Sequence, residues 1–121
     1  MTTIWVQTQF AGLHYWPEAV KRVEYLKYPH RHIFHVRVEI EVTELNREIE
    51  FLQFKDELTK FCIGSFCDEI TTYSCEQMCE YILKWLCLSA FKDITDFKDR
   101  VYSISVSEDG ENGASWHRDK D

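Results

Sequence analysis

Apolar and polar residues alternate in several short segments of the chain, which is the period-2 pattern of a strand with one buried face. The clearest segment is residues 32–43, where one parity is apolar and the other is polar or charged. The same pattern predicts strands over residues 2–10 and 100–108, and a short last strand over 114–118 after the turn-forming sequence DGENG. Residues 11–29 have no regular period and are predicted as a loop.

Two segments in the middle of the chain switch to helical spacing. Residues 50–62 and 75–90 each place apolar side chains three or four positions apart, which predicts two helices with one buried stripe. The predicted stripes are Phe51, Phe54, Leu58, Phe61 and Cys62 in the first helix, and Met78, Cys79, Ile82, Trp85 and Leu86 in the second. Ser74 and Gln77 match a capping box, which satisfies free amide donors at a helix start.

The predicted order is strand, strand, helix, helix, strand, strand. Two helix stripes and one apolar sheet face can bury each other, so we expect an α+β fold with an antiparallel four-stranded sheet and both helices on one face. The other sheet face is polar and is expected to be solvated or to join another subunit. No linker or repeat interrupts the 121 residues, which predicts one domain over residues 1–121.

The charge of the chain narrows the function. The formal net charge is −7 and no cluster of Lys or Arg occurs, which argues against nucleic-acid binding. No apolar run is long enough to span a bilayer, and the first ten residues do not resemble a signal peptide. We therefore expect a cytoplasmic protein without a membrane partner.

The five cysteines allow two interpretations. A zinc site formed by Cys62, Cys67, Cys75 and Cys79 is one hypothesis. The favoured interpretation is that they are small apolar residues in or near the core, because the number is odd and no C-x-x-C pair occurs.

The histidines predict a metal site. His30 and His32 are two apart at the start of a strand, so both side chains point to the same side, whereas His35 points to the other. His14 follows the first predicted strand and would lie beside them if the first two strands pair. Three histidines leave a fourth metal position open, which is the pattern of catalytic zinc. The H-x-H spacing alone favours the alternative, that these histidines occupy polar loop positions by chance; the strand geometry and His14 make the two interpretations about equally supported.

These histidines lie within a longer resemblance. FAGLH (10–14) resembles the F-x-A-A-H motif, and HRHIFHVRVEIEV (30–42) resembles the H-G-H-N-Y motif, of the 6-pyruvoyltetrahydropterin synthase and 6-carboxytetrahydropterin synthase family. IEFLQFKDEL (49–58), SCEQMCEYILKWL (74–86) and ISVSEDGENGASW (104–116) resemble the starts of the family's two helices and its closing V-x-V-x-E segment. The five motifs occur in the family's order.

The resemblance implies the tunnelling fold, or T-fold, in which subunits join their sheets into barrels as trimers or hexamers. It implies that zinc is bound by His14, His30 and His32. It also implies that Glu108 binds the flat edge of a pterin or purine-like ligand, with Trp116 following eight residues later. The implied activity is that of a zinc-dependent lyase acting on dihydroneopterin triphosphate or a related pterin, in the pterin or queuosine (7-deazaguanine) precursor pathways.

The chain departs from the family at the residues that transfer protons. The family's Cys before H-x-H has no counterpart, because residues 15–29 contain no Cys. Its Asp-His pair between the helices is also missing, because residues 59–73 contain no His. Glu24, six residues before His30, is a candidate general base, with a surface residue in a charged loop as the alternative.

Other candidates for the altered part of the site have less support. Tyr25 and Tyr28 could also transfer protons, and His117 could supply an imidazole to a neighbouring subunit. Arg31 replaces the family's Gly between the two histidines and could reach a ligand phosphate or carboxylate. For Arg31 and His117 the favoured interpretation is a solvent-exposed side chain.

Two functions from different classes follow. The first is a zinc-dependent enzyme of the 6-pyruvoyl- or 6-carboxytetrahydropterin synthase kind. The second is a protein of the same fold that binds zinc and a pterin- or purine-like ligand without turnover, which the missing Cys and Asp-His pair favour. An α+β domain with a purely structural zinc ion is a third and weaker hypothesis.

Overall fold

The computed structural model describes residues 1–119, so the last two residues of the predicted domain lie outside them. The main elements are β1 (Thr2–His14), β2 (His30–Val42), α1 (Phe51–Phe66), α2 (Cys75–Trp85), β3 (Tyr102–Glu108) and β4 (Asn112–Arg118). Short 3-10 helices occupy Lys21–Lys27 and Phe97–Asp99, and a π-helical turn, Leu86–Ala90, continues from α2.

The four strands form one antiparallel sheet in the order β1-β2-β3-β4. The predicted α+β fold with the order β-β-α-α-β-β is therefore confirmed. β1 and β2 pair along their whole lengths, so that His14 lies directly opposite His30 and Gly12 lies opposite His32. β3 pairs with β2 so that Glu108 lies opposite Phe34. The end of β1, the start of β2 and the end of β3 thus meet at one end of the sheet.

Both helices cover the same face of the sheet, as the alternation predicts. On β2 the residues of one parity are buried, and the equivalent residues of β3 complete the apolar face. Each helix buries one stripe against it; the fully buried members are Leu58, Cys62, Phe66, Met78, Ile82 and Leu86. The capping box at Ser74 and Gln77 is present and begins α2 at Cys75. The apolar face therefore fixes the strands whose ends carry the histidines.

The element boundaries differ from prediction in ways that matter for the site. β1 continues to His14 instead of ending at residue 10, because β2 supplies hydrogen-bond partners along its whole length. α1 begins at Phe51 and extends to Phe66. Phe51 is exposed, contrary to its predicted place in the buried stripe, because the helix turns Phe54 and Phe66 toward the sheet.

Three of the cysteines agree with the core interpretation. Cys62, Cys75 and Cys79 are buried among apolar side chains. Within residues 1–119, the group of metal-ligating side chains that could hold an ion contains histidines and no cysteine. The cysteine zinc hypothesis thus has no support in the described part of the chain. No helix there is long and apolar enough to cross a membrane.

A buried ion pair closes the opposite end of the sheet. Arg100 is 4% exposed, and its guanidinium donates to both carboxylate oxygens of Glu48, at 3.1 and 2.5 Å. Its Nε donates to Asp96 at 3.1 Å, and a further bond reaches the carbonyl oxygen of Glu41. The hydrogen bonds from Arg100 lower the pKa of Glu48 to about 2. This cluster ties the loop after β2 to the segment before β3.

Candidate metal and ligand site

Three imidazoles converge where β1, β2 and β3 meet. One ring nitrogen from each of His14, His30 and His32 lies within 4.8 Å of the other two, which is close enough for a single ion to be bound. The parity of β2 places His30 and His32 on one side, and the antiparallel pairing of β1 brings His14 opposite His30. The structure thus brings together all three histidines that the sequence predicts as metal ligands.

The other ring nitrogen of each histidine is already engaged. Nδ1 of His14 donates to the carbonyl oxygen of Tyr73 at 2.8 Å, and Nδ1 of His30 donates to the carbonyl oxygen of Tyr28 at 2.9 Å. Nδ1 of His32 lies 2.8 Å from a carboxylate oxygen of Asp109. Because these oxygens only accept hydrogen bonds, each neutral imidazole carries its proton on Nδ1 and presents the lone pair of Nε2.

The nitrogens that face the common point have no hydrogen-bond partner. Nε2 of His14 and Nε2 of His32 are both buried and have no hydrogen-bond partner. His14 as a whole is only 8% exposed, so water has little access to it. Burial, the largest effect on this imidazole, lowers the pKa of His14 and keeps the ring neutral. Buried polar atoms rarely lack partners, and neutral imidazole nitrogens are common zinc ligands. The donor set therefore fits a zinc ion.

Glu108, the last residue of β3, faces the same point. One of its carboxylate oxygens lies 2.9 Å from Nε2 of His32, and the other lies 4.0 Å from Nε2 of His14. The 2.9 Å contact between Glu108 and His32 does not have the geometry of a hydrogen bond, so Nε2 of His32 is left without a hydrogen-bond partner. Two electron-rich atoms this close repel each other unless positive charge lies nearby. The position of Glu108 therefore gives the site a second reason to attract a cation or a hydrogen-bond donor.

Cys75 contacts Glu108 from the start of α2. Its thiol donates across 3.8 Å to Oε1 of Glu108, the oxygen that also lies 4.0 Å from Nε2 of His14. Burial, helped by the negative charge of Glu108, raises the pKa of Cys75 to about 12. The thiol is therefore protonated at neutral pH and acts as a hydrogen-bond donor rather than as a proton acceptor.

A cavity of about 790 Å³ opens beside the histidines. Its lining includes the buried His14 and Cys75 and the half-buried His30 and Glu108, and on the side toward solvent the exposed Trp16 with Leu26. The outer wall is the segment after β1, which is tied back by a hydrogen bond from the amide of Trp16 to the carbonyl oxygen of Leu26 at 2.7 Å. Such a volume accommodates a bicyclic ligand, with polar groups at one end and apolar surface at the other.

The floor of the site depends on a close contact between β1 and β2. The ring of Phe34 packs edge-on against His14 and His32, with centroids 5.2 and 5.8 Å apart. Gly12 makes room for that ring, because a Cβ at this position would lie 3.1 Å from the ring edge. The end of β1 is also fixed by Thr71, just before α2: the amide of Tyr15 donates to the carbonyl oxygen of Thr71, and the amide of Thr71 donates to the carbonyl oxygen of Leu13.

The candidate proton donors and acceptors are less well placed. Glu24 lies in the 3-10 helix Lys21–Lys27, more than half exposed, and its carboxylate lies 3.6 Å from Nζ of Lys27. It does not line the cavity, whereas Leu26 from the same segment does. Tyr25 and Tyr28 are both 70% exposed. The site thus contains the predicted metal ligands and Glu108 but no predicted base in contact with them.

Three other residues lie away from the histidines. His35 is exposed on the opposite face of β2, as its parity predicts. Trp116 lies opposite Ile104 in β4 and packs against Tyr102, four residue pairs away from Glu108, so the eight-residue spacing does not bring it to the cavity. Arg31 and His117 are also exposed, which agrees with their favoured interpretation.

Sequence reasoning missed two contributors. Asp109 anchors His32 and also accepts the amide hydrogen of Ile33 at 2.8 Å. It has a positive φ of 56°, which Asp tolerates, and its place before Gly110 in a turn could have suggested this role. The core interpretation of Cys75 does not predict its contact with Glu108, because nothing in the sequence shows that the first turn of α2 faces the end of β3.

The backbone belongs to a known class of fold. It superposes on two solved structures of Plasmodium vivax 6-pyruvoyltetrahydropterin synthase with a TM-score of 0.71, 17% sequence identity and 98% coverage of each chain. Both structures are catalytic-residue mutants, in which a glutamate is replaced by cysteine in one and by alanine in the other. No family model matches this sequence, and no curated protein matches it.

This similarity confirms the predicted resemblance at the level of the fold. The four strands and two helices form a T-fold subunit like that of the Plasmodium enzyme. The sequence identity is too low to transfer an activity. What this chain does must be argued from its own residues.

Proposed function

We propose that this protein is a zinc-dependent, 6-pyruvoyltetrahydropterin synthase-like protein that acts on a dihydroneopterin-type pterin in the cavity beside the histidines. The observation that carries the proposal is the pair of buried, unpaired Nε2 atoms of His14 and His32. His30 is the third proposed ligand, and dihydroneopterin triphosphate or a related pterin is the proposed substrate. The similarity in fold to the Plasmodium enzyme supports the same conclusion.

The protein side of the metal site is already organised. Hydrogen bonds at the three Nδ1 atoms hold the rings in the tautomer that presents Nε2. When bound, zinc would supply a Lewis acid that polarises hydroxyl groups of the ligand's side chain. The side chain of the ligand would thereby be oriented toward the histidines.

Glu108 is the proposed anchor for the pterin ring. A carboxylate accepts paired hydrogen bonds from the guanidine-like edge of a pterin, which is a strong and directional interaction. The thiol of Cys75 holds this carboxylate at one oxygen. Binding would draw Glu108 away from Nε2 of His32 and so remove an unfavourable contact.

Glu24 is the proposed general base. Its support is positional: it lies two residues from Leu26, which lines the cavity, and a glutamate is a catalytic residue in the similar Plasmodium enzyme. To reach the ligand, the carboxylate must leave Lys27 and turn inward. Because Glu24 is paired with Lys27 and does not line the cavity, its position also favours the second candidate function, a protein that binds zinc and a pterin- or purine-like ligand without turnover.

One experiment separates the two functions. Zinc-loaded protein is incubated with dihydroneopterin triphosphate and, separately, with dihydroneopterin, and products are followed by mass spectrometry. We expect turnover that falls at least ~100-fold in Glu24→Gln, the size of a general-base contribution. Glu80→Gln is the matched control, because Glu80 is also exposed and paired with a lysine, Lys84, at 3.3 Å.

The outcomes are distinct. Turnover that survives in Glu24→Gln would exclude this residue as the base. Binding without turnover, abolished in Glu108→Ala, would establish the second function. If the protein neither binds a pterin nor turns one over, the proposal is refuted.

We also propose that copies of the chain assemble through their sheets into a trimer or hexamer. β1 and β4 are the two edges of the sheet, and exposed apolar side chains lie beside the β1 edge. Trp5, Phe51 and Leu52 are 52%, 53% and 68% exposed and line one groove. Light scattering should give three or six times the chain mass of 14.5 kDa, and a monomer at micromolar concentration would contradict this proposal.

A further inference from the structure

Residues 15–29 connect β1 to β2 and form a loop that we call the lid. The residues on either side of it, His14 and His30, lie directly opposite each other in the sheet, so the two ends of the lid are adjacent. Compact surface loops of about 6 to 16 residues with adjacent ends are frequently functional. The imidazole centroids of His14 and His30 are 4.5 Å apart, and both residues are proposed metal ligands. One ion bound by both would therefore join the two ends of the lid.

Few contacts hold the lid to the rest of the protein. Ala19 is 5% exposed, and every other lid residue is half-buried or exposed. The hydrogen bonds that the structure shows for residues 16–28 stay within residues 16–30, as in the bond from the amide of Trp16 to the carbonyl oxygen of Leu26. A segment with little apolar burial and mainly internal hydrogen bonds opens at a low free-energy cost.

The two ends of the lid are attached differently. Next to His14, the amide of Tyr15 donates to the carbonyl oxygen of Thr71 at 3.1 Å, which ties this end to a residue outside the lid. At the other end, Nδ1 of His30 donates to the carbonyl oxygen of Tyr28 at 2.9 Å, and Tyr28 belongs to the lid. The ring of one proposed ligand is thus oriented by the lid itself.

A proline stiffens the link between the lid and His30. Pro29 lies between Tyr28 and His30, and the proline ring fixes its own φ. Tyr28 has φ −97° and ψ 146°, the extended conformation that a following proline favours. The positions of Tyr28 and His30 are therefore coupled both by the backbone and by a hydrogen bond.

We propose that metal binding orders the lid, because an ion bound by His14 and His30 clamps its weakly attached end to its anchored end. The inference rests on the proposed function, since it takes these histidines to be metal ligands. Opening of the lid then requires release of the ion from His30. The lid also carries Glu24, so the proposed base gains a fixed position when the metal binds. A pterin is accordingly expected to bind after the metal.

The test is hydrogen exchange followed by mass spectrometry on full-length protein with and without zinc. At a zinc concentration 100 times Kd, opening that requires release of the ion is suppressed up to ~100-fold, and we expect exchange in the lid to slow at least ~10-fold. The loop 43–50, which is tied to Arg100 at the opposite end of the sheet, should be unaffected. Trypsin cleavage after the exposed residues Lys21, Arg22 and Lys27 should slow similarly.

The two prolines of the chain provide matched variants. Pro29→Gly loosens the link to His30 without changing a metal ligand, and Pro17→Gly loosens the lid near its anchored end. We expect Pro29→Gly to reduce the zinc-induced slowing of exchange ~2- to 5-fold, the size of the restraint that a proline imposes on the backbone. Pro17→Gly should retain the slowing, and both variants should still bind zinc stoichiometrically.

The outcomes separate this inference from the proposed function. If zinc binds and exchange in the lid is unchanged, the inference is overturned and the metal site stands. An equal loss of slowing in the two proline variants would also overturn it, because the link to His30 would then have no special role. If zinc does not bind, the inference and the proposed function are both wrong. Slowing confined to the lid supports the inference whether or not a pterin is turned over.

Discussion

The two ends of the sheet handle buried polar groups in opposite ways. At one end, Arg100 is almost fully buried and its guanidinium bonds to Glu48, Asp96 and a backbone carbonyl. At the other end, His14 is nearly as buried, yet its Nε2 has no partner. β2 runs between them, from His30 to Val42. A cluster in which every buried polar atom has a hydrogen-bond partner stabilises the fold. A buried polar atom without a partner indicates a site where an ion or a ligand binds.

The largest expected effect is at the satisfied end. Arg100→Ala should lower the free energy of unfolding by about 3 kcal/mol, because it leaves partly buried Glu48 without its counter-charge. Urea unfolding measures the change, and zinc affinity should be unaltered. Lys60→Ala is the control, since that lysine is paired with Asp56 at 2.9 Å on an exposed helix face and should change stability by less than ~0.5 kcal/mol. Equal losses in the two variants would remove the distinction between buried and exposed pairs.

The next effect is at the unsatisfied end. His32→Ala should weaken zinc binding at least ~100-fold, or about 2.7 kcal/mol, because one of three protein ligands is lost. Competition with a chromophoric chelator measures the affinity. His35→Ala, three residues along the same strand on the opposite face, should leave it unchanged. Purified protein that binds no stoichiometric zinc, or equal affinities in these two variants, would disprove the metal site.

Acid should lower the free energy of unfolding in part through the ion pair of Glu48 with Arg100. The pKa of Glu48 is lowered from 4.5 to about 2 in the folded protein, so its ionised form contributes stability above about pH 4.5. That contribution is lost as the pH falls from about 4.5 toward 2. Urea unfolding at pH 7, 4 and 3 should show a shallower acid loss in Glu48→Gln than in the unmodified chain. Glu57→Gln, on the exposed face of α1, should keep the original slope.

The smallest expected effect concerns the hydrogen bond between Asp109 and Nδ1 of His32. Asp109→Asn should lower zinc affinity ~10-fold, or about 1.4 kcal/mol, because an amide accepts the hydrogen bond of His32 without the charge. Asn also tolerates the positive φ of this turn, so the backbone should be preserved. Glu111→Gln in the same turn is the control. If Asp109→Asn has no effect on affinity while His32→Ala does, Asp109 only supports the turn.

The sequence predicts the fold and the metal ligands because both follow from short-range periodicity. Alternation on β2 gives the parity of His30, His32 and His35, and antiparallel neighbours bring His14 to the same end. The boundaries are harder: β1 reaches His14 because β2 pairs with it, and no local pattern around Gly12 shows this. The end of β1 at His14 is therefore determined by its pairing with β2 and not by the local sequence.

Contacts between distant residues were not predictable from spacing. Arg100 meets Glu48 across 52 positions, and Cys75 meets Glu108 across 33. Trp116 shows the converse, since a spacing of eight residues from Glu108 crosses a turn and leads away from the cavity. The position of Glu24 in an exposed 3-10 helix depends on how residues 15–29 fold back, which their irregular pattern does not determine.

The bonds that hold the histidine rings also affect how the protein would acquire its metal. Nδ1 of His14 is held by a residue 59 positions away, and Nδ1 of His32 by one 77 positions away. Neither anchor exists until β1, the start of α2 and the β3–β4 turn have all assembled. Such long-range closure comes late in folding. Tight zinc capture would therefore be the last event of folding, and release of the ion would report the first opening of the native chain.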